Sequence, residues 1–279
     1  MIVIRLRSGL GNQMFQYAFF KQMQFWHGEA NVKLDIDTYH WKAHNGLEID
    51  TVFNLDLNPY KISSNISLKL ADVGYSLKDR IARRIRGTRH KSYKFWKDMN
   101  YNDYKNINTD LYLEGYWNEE KYFFDVKEDI KKAFKFPIDK NEPDLLNEIR
   151  NCNSVSLHVR RGDYINYPDN FPMCTPKYYV NALAYLKSKI NQNLNVYVFS
   201  DEIEWCKTNL GMIENITFVN NKTAHHDMMM MSFCKHNIIA NSTFSWWAAW
   251  LNKNPNKIVI YPNECDRTYG SMPKHWIKL

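Results

Sequence analysis

The sequence predicts an α/β protein whose C-terminal half is a parallel, doubly wound sheet. Two observations carry this prediction. The C-terminal half alternates strand-like and helix-like patterns over five strands, and the N-terminus opens with a strand, a glycine turn and a helical stretch. A length of 279 residues is enough for two domains of ordinary size. The hydrophobic content of 44% and the aromatic content of 15% are typical of a folded protein with a substantial core.

The N-terminal half opens with an apolar strand at residues 2–6, a turn that contains Gly9 and Gly11, and a helix with apolar side chains at helical spacing. The glycines let the backbone approach a ligand closely, and the first helical turn offers unpaired N–H groups. The run matches neither G-x-G-x-x-G nor a P-loop, and most Gly-x-Gly pairs are only tight turns. Residues 112–117 predict another strand, whose aromatic side chains either pack in the core or line a sugar site.

The C-terminal half has the more regular pattern. Strands are predicted at residues 154–159, 195–199, 216–219, 237–240 and 257–261, and helices at 176–190, 202–210, 227–234 and 243–251. Thr175 and Pro176 supply an N-cap and a first-turn proline for the first of these helices. Residues 136–143 are typical of a linker, because they combine charged side chains with prolines. We therefore expect an N-terminal, acceptor-side domain at 1–145 and a C-terminal, donor-binding domain at 146–279.

Composition argues against several classes of protein. No apolar window approaches the length of a membrane span, and the strand-like start is too short for a signal peptide. The cysteines are widely scattered without CxxC spacing, which argues against structural zinc and against a disulfide framework and favours a reducing compartment. They are Cys152, Cys174, Cys206, Cys234 and Cys265.

The formal net charge of +7 is concentrated in residues 78–97, and the rest of the chain is close to neutral. Leu77, Ile81 and Ile85 recur at four-residue spacing, which predicts that this basic segment begins as an amphipathic helix. Such a helix either lies on an anionic membrane surface or packs, solvated, against the body of the protein. Nucleic-acid binding is a third option, but no recognised motif supports it.

A run of basic, small and acidic residues follows the predicted strand at 154–159, and it reads His158-Val159-Arg160-Arg161-Gly162-Asp163. In an open parallel sheet, ligands bind outside the carboxyl ends of the strands. An arginine fork at that place suits a diphosphate, because planar guanidinium groups make paired charge-assisted bonds. The alternative is a surface turn whose arginines pair with the aspartate.

Polar groups follow three further strands, at Ser200-Asp201, at Asn220-Asn221 with His225-His226-Asp227, and at Asn241-Ser242-Thr243-Phe244-Ser245. Hydroxyls at a helix start either cap the helix or bind phosphate. Together the turns match a nucleoside diphosphate, with a carboxylate available for the guanine edge, better than they match a metal-bound phosphate. Paired aspartates could hold the metal of a metal-bound phosphate, but the Asp-x-Asp run of this chain, Asp35-Ile36-Asp37, lies in the other domain.

The chain resembles the bacterial α1,2-fucosyltransferases of glycosyltransferase family 11. The similar segments are Arg5-Leu6-x-x-Gly9-x-Gly11-Asn12-Gln13-Met14-Phe15-Gln16-Tyr17-Ala18, His158 to Tyr164, Phe199-Ser200-Asp201, Asp227, and Asn241 to Trp247. They lie in the same order and span nearly the whole chain. Residues 60–150 carry little of the resemblance, so we expect acceptor choice to reside there.

The resemblance implies a glycosyltransferase B type fold, in which two Rossmann-like domains face a cleft. It implies an inverting transfer of L-fucose from GDP-fucose to the 2-hydroxyl of a galactose-type acceptor, in an O-antigen-like surface glycan that is either free or lipid-linked. It also implies action in the bacterial cytoplasm, either away from the membrane or in peripheral contact with the inner membrane through residues 78–97. No metal, no other cofactor and no nucleic-acid partner are expected.

The resemblance assigns most donor contacts to the C-terminal domain. Arg160 would hold the diphosphate with support from His158, and Asp227 would read the guanine edge. Asn12, beside Gly11, would reach the donor from the N-terminal domain. The remaining donor-binding residues are expected to be Gly11, Asp201, Ser242, Thr243, Phe244 and Ser245.

The charges that develop during the implied transfer indicate its mechanism. Negative charge builds on the departing GDP, and Arg160 with the helix that begins near Thr243 would stabilise it. The general base is not identified. Asp163 is either that base or a carboxylate that orients the arginines, and Asp35 and Asp37 are weaker candidates. The alternatives are a GDP-fucose-dependent transferase with another linkage or acceptor and, more remotely, a nucleic-acid or glycan-binding module.

Overall fold

Parallel sheets form the centre of both halves of the chain. The computed structural model describes residues 1–36, 45–63, 66, 70, 81, 92–137, 144–190, 192–220, 223–263 and 271–279. Their contacts divide the chain into an N-terminal unit, Met1–Lys135, and a C-terminal unit, Phe136–Leu279. This boundary falls ten residues before the expected start of the second domain at residue 146. The α/β class with parallel sheets is confirmed.

Among its described residues, the N-terminal unit holds a four-stranded sheet in the order β2-β1-β4-β3, in which every paired strand is parallel to its neighbour. Its strands are β1 (Ile2–Arg5), β2 (Val32–Asp35), β3 (Tyr93–Phe95) and β4 (Leu111–Glu114). Its described α-helices are α1 (Leu10–His27), α2 (Ile49–Phe53) and α3 (Lys127–Ala133). Short 3₁₀ helices lie at Glu29–Asn31, Asn58–Tyr60, Trp96–Asp98, Tyr101–Asn106 and Glu120–Val126.

Aromatic side chains fill much of this unit's core. Tyr112 and Trp117 are fully buried, so two aromatic residues of the stretch at 112–117 pack inside, whereas Tyr116 is half-buried. The Phe19 ring of α1 stacks on Trp117 with 4.2 Å between the centroids, and the Trp117 indole donates to the Tyr104 hydroxyl. The stretch therefore ties α1 to the sheet through aromatic packing.

The described part of the C-terminal unit forms a six-stranded parallel sheet in the order β10-β9-β8-β5-β6-β7. Its strands are β5 (Ser154–Val159), β6 (Asn195–Ser200), β7 (Ile216–Phe218), β8 (His236–Ile238), β9 (Val259–Tyr261) and β10 (Ile277–Lys278). Its helices are α4 (Asp144–Asn151), α5 (Pro176–Lys189), α6 (Ile203–Leu210), α7 (Ala224–Phe233) and α8 (Thr243–Leu251), with a 3₁₀ helix at Gly162–Asn166. The five predicted strands are confirmed, and the Thr175 hydroxyl accepts from the Tyr178 N–H as the expected N-cap.

The two faces of β5 differ in chemistry. Val155, Leu157 and Val159 belong to an apolar core that also contains residues of α5 and α6. The intervening side chains point to the other face, where Ser156 accepts a hydrogen bond of 2.7 Å from the Asn237 amide. His158 follows on that second face, so the strand delivers a polar side chain toward the end of the sheet.

The strand order reverses direction at β5. The chain passes from β5 to β6 and β7 on one side, and then returns to place β8 on the other side of β5. The crevice between the carboxyl ends of β5 and β8 is therefore a topological switch point, where open α/β sheets bind their ligands.

Three other sequence expectations concern membrane spans, cysteines and the basic segment, and the described residues cover them only in part. No described helix is both long enough and apolar enough to cross a membrane. Four of the cysteines are free thiols, and Cys265 lies outside the described residues. Most of the basic segment at 78–97 also lies outside them, as do Leu77 and Ile85 of the proposed helix.

Candidate functional site

Arg160 lies between two carboxylates at the carboxyl end of β5. Its Nη1 is 2.9 Å from Oδ2 of Asp201, and its Nη2 pairs with Oδ1 of Asp163. The guanidinium carbon also lies 5.3 Å from the centre of the Tyr164 ring. The Arg160 side chain remains 30% exposed, so it is held in place and still accessible to a ligand.

Asp201 joins two parts of the Arg160–Arg161 turn. While its Oδ2 pairs with the Arg160 side chain, its Oδ1 accepts a hydrogen bond of 3.0 Å from the Arg161 backbone N–H. Strand register explains this meeting, because Val159 of β5 is paired with Ser200 of β6 and the next residue of each strand is brought alongside. Asp201 was expected to touch the donor, and its observed partners give it a second role in positioning Arg160.

Arg161 is engaged elsewhere. Its Nε lies 3.3 Å from Oε2 of Glu202, and its guanidinium carbon lies 4.2 Å from the centre of the Trp205 ring. Only 19% of the side chain is exposed. Arg160 is also paired with carboxylates, but its side chain is more exposed, at 30% against 19%, so Arg160 is the more accessible arginine of this motif for a ligand.

His158 is buried beside Arg160 and carries an unpartnered polar atom. Its Nδ1 is shielded from solvent and has no hydrogen-bond partner, and its ring lies 5.6 Å from that of Phe244. Burial, together with the Arg160 charge, lowers the pKa of His158 to about 3. The imidazole is therefore neutral at physiological pH and keeps hydrogen-bonding capacity in a water-poor place.

The turn between β8 and α8 forms the other side of the switch point. The Asn241 amide donates to the Pro172 carbonyl at 3.3 Å, while its Oδ1 is buried without a partner. Ser242 is the N-cap residue of α8, but its side chain makes no capping bond. The Ser245 hydroxyl instead donates to the Ser242 carbonyl at 3.3 Å. The first turn of α8, which includes the half-buried Thr243, can therefore accept negative charge.

The structure thus brings His158, Arg160, Asp163 and Asp201 together and places Phe244 against His158. Asp227 lies in the first turn of α7, where it was expected, and is half-buried. Gly11 and Asn12 belong to the N-terminal unit, in the first turn of α1.

Two glutamines of the N-terminal motif build its turn. Gln13 donates to the carbonyls of Ser8 and Gly46, and its amide oxygen accepts from the Glu48 N–H. Gln16 donates to the carbonyl of Gly115, and its amide oxygen accepts from the Arg7 backbone N–H. Ser8 adopts the left-handed region with φ of 67°, which these bonds help to hold. Both glutamines are buried and act on the protein's own backbone.

Sequence reasoning missed a buried charge cluster around Glu114 at the end of β4. Glu114 accepts from Arg5 at 3.0 Å and from the Tyr93 hydroxyl at 2.9 Å, and it also pairs with Arg7. Burial alone would raise the pKa of Glu114, but the Arg5 and Arg7 charges and the hydrogen bonds from Tyr93 and Arg5 together outweigh it, and the pKa is lowered. The available sequence signal was the spacing of Arg5 and Arg7, two residues apart at the end of β1, which indicates two arginines on one side of the strand near a carboxylate partner.

Asp35 is buried and accepts a 2.6 Å hydrogen bond from Tyr112, while Asp37 lies outside the described residues. Within the described part of the chain, no group of three or more His, Cys, Asp or Glu side chains is placed to hold a metal ion.

Comparisons with known proteins point in one direction. A family model described as "Glycosyl transferase family 11" matches residues 1–278. An Escherichia coli alpha-1,2-colitosyltransferase is 33% identical over 300 residues, which cover 100% of this chain and 98% of that protein. The O-antigen biosynthesis glycosyltransferase WbnK of Escherichia coli is 32% identical, with 93% of each chain covered.

More distant proteins share part of the sequence or the fold. Human galactoside alpha-(1,2)-fucosyltransferase 1 is 27% identical over 50% of this chain and 43% of its own length. The solved structure of a FUT1 mutant from Arabidopsis thaliana in complex with GDP matches with a TM-score of 0.51 and 12% identity. That match covers 93% of this chain and 70% of that one. It supports the glycosyltransferase B type fold expected from the sequence.

Proposed function

The chain belongs to glycosyl transferase family 11, and from this membership we propose that it transfers L-fucose from GDP-fucose to the 2-hydroxyl of a galactose-type residue. The enzyme is a glycosyltransferase, and the proposed product is a bacterial surface glycan of the O-antigen kind. The observation that carries the proposal is Arg160, which is accessible at the switch point and held by Asp201 at 2.9 Å.

The proposed reaction breaks the bond between the anomeric carbon of fucose and the β-phosphate oxygen. The electron pair leaves with GDP, and the acceptor oxygen forms a new bond on the opposite face, so the anomeric centre is inverted. Arg160 and the N–H groups at the start of α8 stabilise the charge that builds on the diphosphate. His158 stays neutral and supports this region as a hydrogen-bonding group.

The acceptor hydroxyl must also lose its proton, which passes to solvent water or to a phosphate oxygen of the departing GDP. Asp163 is paired with Arg160, which fits an orienting carboxylate better than a free base. The guanine base is proposed to lie against Asp227 in the first turn of α7. Ser242, Thr243, Phe244 and Ser245 are proposed as further donor contacts, and Gly11 and Asn12 as contacts from the N-terminal unit.

A second donor is favoured by one observation, the 33% identity to an alpha-1,2-colitosyltransferase. Colitose is L-fucose without its 3-hydroxyl, so the same diphosphate site serves either sugar. A pocket that hydrogen-bonds the 3-hydroxyl would reject colitose strongly, whereas an apolar pocket would discriminate weakly. Another linkage or acceptor with GDP-fucose is a further alternative.

The deciding experiment offers the purified protein GDP-fucose and GDP-colitose in parallel, with a panel of galactose-ended oligosaccharides and with EDTA present. We expect acceptor-dependent GDP release from GDP-fucose, and an α1,2 linkage by NMR of the product. A higher kcat/KM with GDP-colitose would transfer the assignment to that donor. Loss of all turnover in EDTA, restored by a divalent metal, would overturn the metal-free mechanism.

We also propose peripheral contact with the inner membrane on the cytoplasmic side, through the basic residues of 78–97. The proposal rests on the concentration of positive charge in this segment, which anionic lipid surfaces attract. Neutralising Arg80, Arg83, Arg84 and Arg86 should release the protein from the membrane fraction while turnover of soluble acceptors is retained. Unchanged fractionation would remove this role.

A further inference from the structure

The segment 162–171 exposes aromatic side chains immediately after Arg160. Tyr167 is 58% exposed and Phe171 is 37% exposed. The Tyr164 and Phe171 rings stack with 4.7 Å between their centroids and 25° between their planes. We call Tyr164, Tyr167 and Phe171 the aromatic shelf. Clustered exposed aromatics add little to a folded core, and they are typical of a binding surface.

Backbone hydrogen bonds within the segment, and one from the side chain of Asn241, hold the shelf in place. The N–H of Tyr167 donates to the Tyr164 carbonyl at 3.1 Å, and the N–H of Phe171 donates to the Tyr167 carbonyl at 3.0 Å. The Asn241 amide fixes the next carbonyl, that of Pro172, to the turn before α8. A preorganised surface loses less entropy when a ligand binds, so this arrangement suits recognition.

The polar groups between the aromatics suit a neutral sugar. Asn166, Asp169 and Asn170 are exposed, and within the described chain their side chains make no hydrogen bond. Residues 162–171 contain two acids, Asp163 and Asp169, and no lysine or arginine. Asp163 pairs with Arg160, so among the described residues Asp169 is the acid of this segment without an ion pair. Its negative charge disfavours a diphosphate or an anionic lipid on this surface, whereas sugar hydroxyls bond well to carboxylates and amides.

The shelf is also continuous with the reacting site. The Arg160 guanidinium carbon lies 5.3 Å from the centre of the Tyr164 ring, and Arg160 is the group proposed to hold the leaving diphosphate. A pyranose that packs its C–H face on the shelf would therefore lie close to the Arg160 guanidinium. We propose that the shelf binds the galactose-type acceptor, so part of acceptor recognition lies in the C-terminal unit, in addition to the acceptor-side role expected of residues 1–145. This inference rests on the proposed function for the identity of the sugar.

The test measures acceptor binding separately from turnover. Saturation-transfer NMR titrations with methyl β-galactoside and lactose, in the presence of GDP, give the galactoside affinity of the wild type and of Tyr167→Ala and Phe171→Ala. We expect each substitution to weaken galactoside binding by about tenfold. GDP affinity by calorimetry should change by less than about twofold. Phe25→Ala removes an aromatic ring of the N-terminal unit that is 64% exposed, and it should leave both affinities unchanged.

The remaining outcomes are distinct. Tyr167→Leu keeps apolar area but removes the flat ring, so it decides the case if an alanine variant does not fold. Unchanged galactoside affinity in the folded variants, or no galactoside binding by the wild type, would overturn the proposal that the shelf binds the acceptor. A parallel loss of GDP affinity would assign the shelf to the nucleotide and also overturn it. Galactoside binding that depends on the shelf, without turnover of GDP-fucose, would refute the proposed donor while the shelf stands.

Discussion

A Cβ atom on Gly162 would lie 2.5 Å from the Oδ2 atom of Asp201, closer than non-bonded atoms approach. Glycine at this position leaves the space that the carboxylate uses to reach the Arg160 side chain and the Arg161 backbone. The glycine of the motif is therefore explained by close approach of a side chain, with no need for an unusual backbone angle.

Gly162→Ala should weaken catalysis while the protein stays folded. The added methyl group displaces the Asp201 carboxylate, and Arg160 then loses its better-shielded ion-pair partner. We expect kcat/KM to fall by about tenfold or more, since bonds to charged groups contribute about 1.5–3 kcal/mol. Steady-state kinetics and circular dichroism measure the two effects. Wild-type kinetics in Gly162→Ala would contradict the positioning role of Asp201.

Arg160→Ala and Arg161→Ala form a matched pair on adjacent residues. Arg160→Ala should lower kcat by about 100-fold or more, because it removes charge stabilisation from the leaving group. Arg161→Ala removes a guanidinium that stacks on Trp205 and pairs with Glu202, so it should mainly lower the thermal midpoint. Turnover assays and thermal melts on both variants compare them. Equal losses of kcat would show that both arginines act on the donor.

Asp163→Asn separates the two roles that the sequence leaves open for this carboxylate. Asp163 is half-exposed in an ion pair with Arg160, and such pairs contribute about 0–1 kcal/mol. An orienting role therefore predicts a fall in kcat of less than about tenfold. A general base predicts a loss of about 100-fold or more, together with the loss of a pH-dependent limb in the rate profile. We expect the smaller effect.

Much of the fold could be predicted because strand and helix patterns are local. The predicted limits of β5 and α8 coincide with those observed, Ser154–Val159 and Thr243–Leu251. The strand Ile277–Lys278 was missed, since two residues are too few to show a period. The helix α7 begins at Ala224, three residues before its predicted start. The prediction placed the start too late because His225 and His226 do not contribute to an apolar pattern.

The site was predictable where topology brings chain-distant residues together. Parallel strands place Arg160 beside Asp201, and the switch point follows from the strand order. The partner of each charged group was not predictable, because it depends on rotamers and on contacts across about a hundred residues of chain. The Glu114 cluster shows this, since Arg5 and Glu114 are separated by 109 positions and meet only in the folded sheet.

His158 gives a prediction on stability against pH. Burial and the Arg160 charge lower its pKa to about 3, whereas an exposed histidine in the unfolded chain titrates near 6.5. Below pH 6.5 the unfolded chain binds a proton that the folded protein does not, so folding loses stability as the pH falls toward 3. At pH 5 this difference amounts to about 2 kcal/mol relative to pH 7.

His158→Gln removes this contribution and leaves the other titrations in place. Burial and Lys235 also lower the pKa of His236, but that residue is common to both proteins and cancels in the comparison. Urea unfolding at pH 5 and pH 7 should therefore show a smaller pH-dependent loss of stability in His158→Gln than in the wild type. Equal losses would mean that His158 protonates in the folded protein. Its imidazole would then add positive charge beside Arg160 instead of acting as a neutral group.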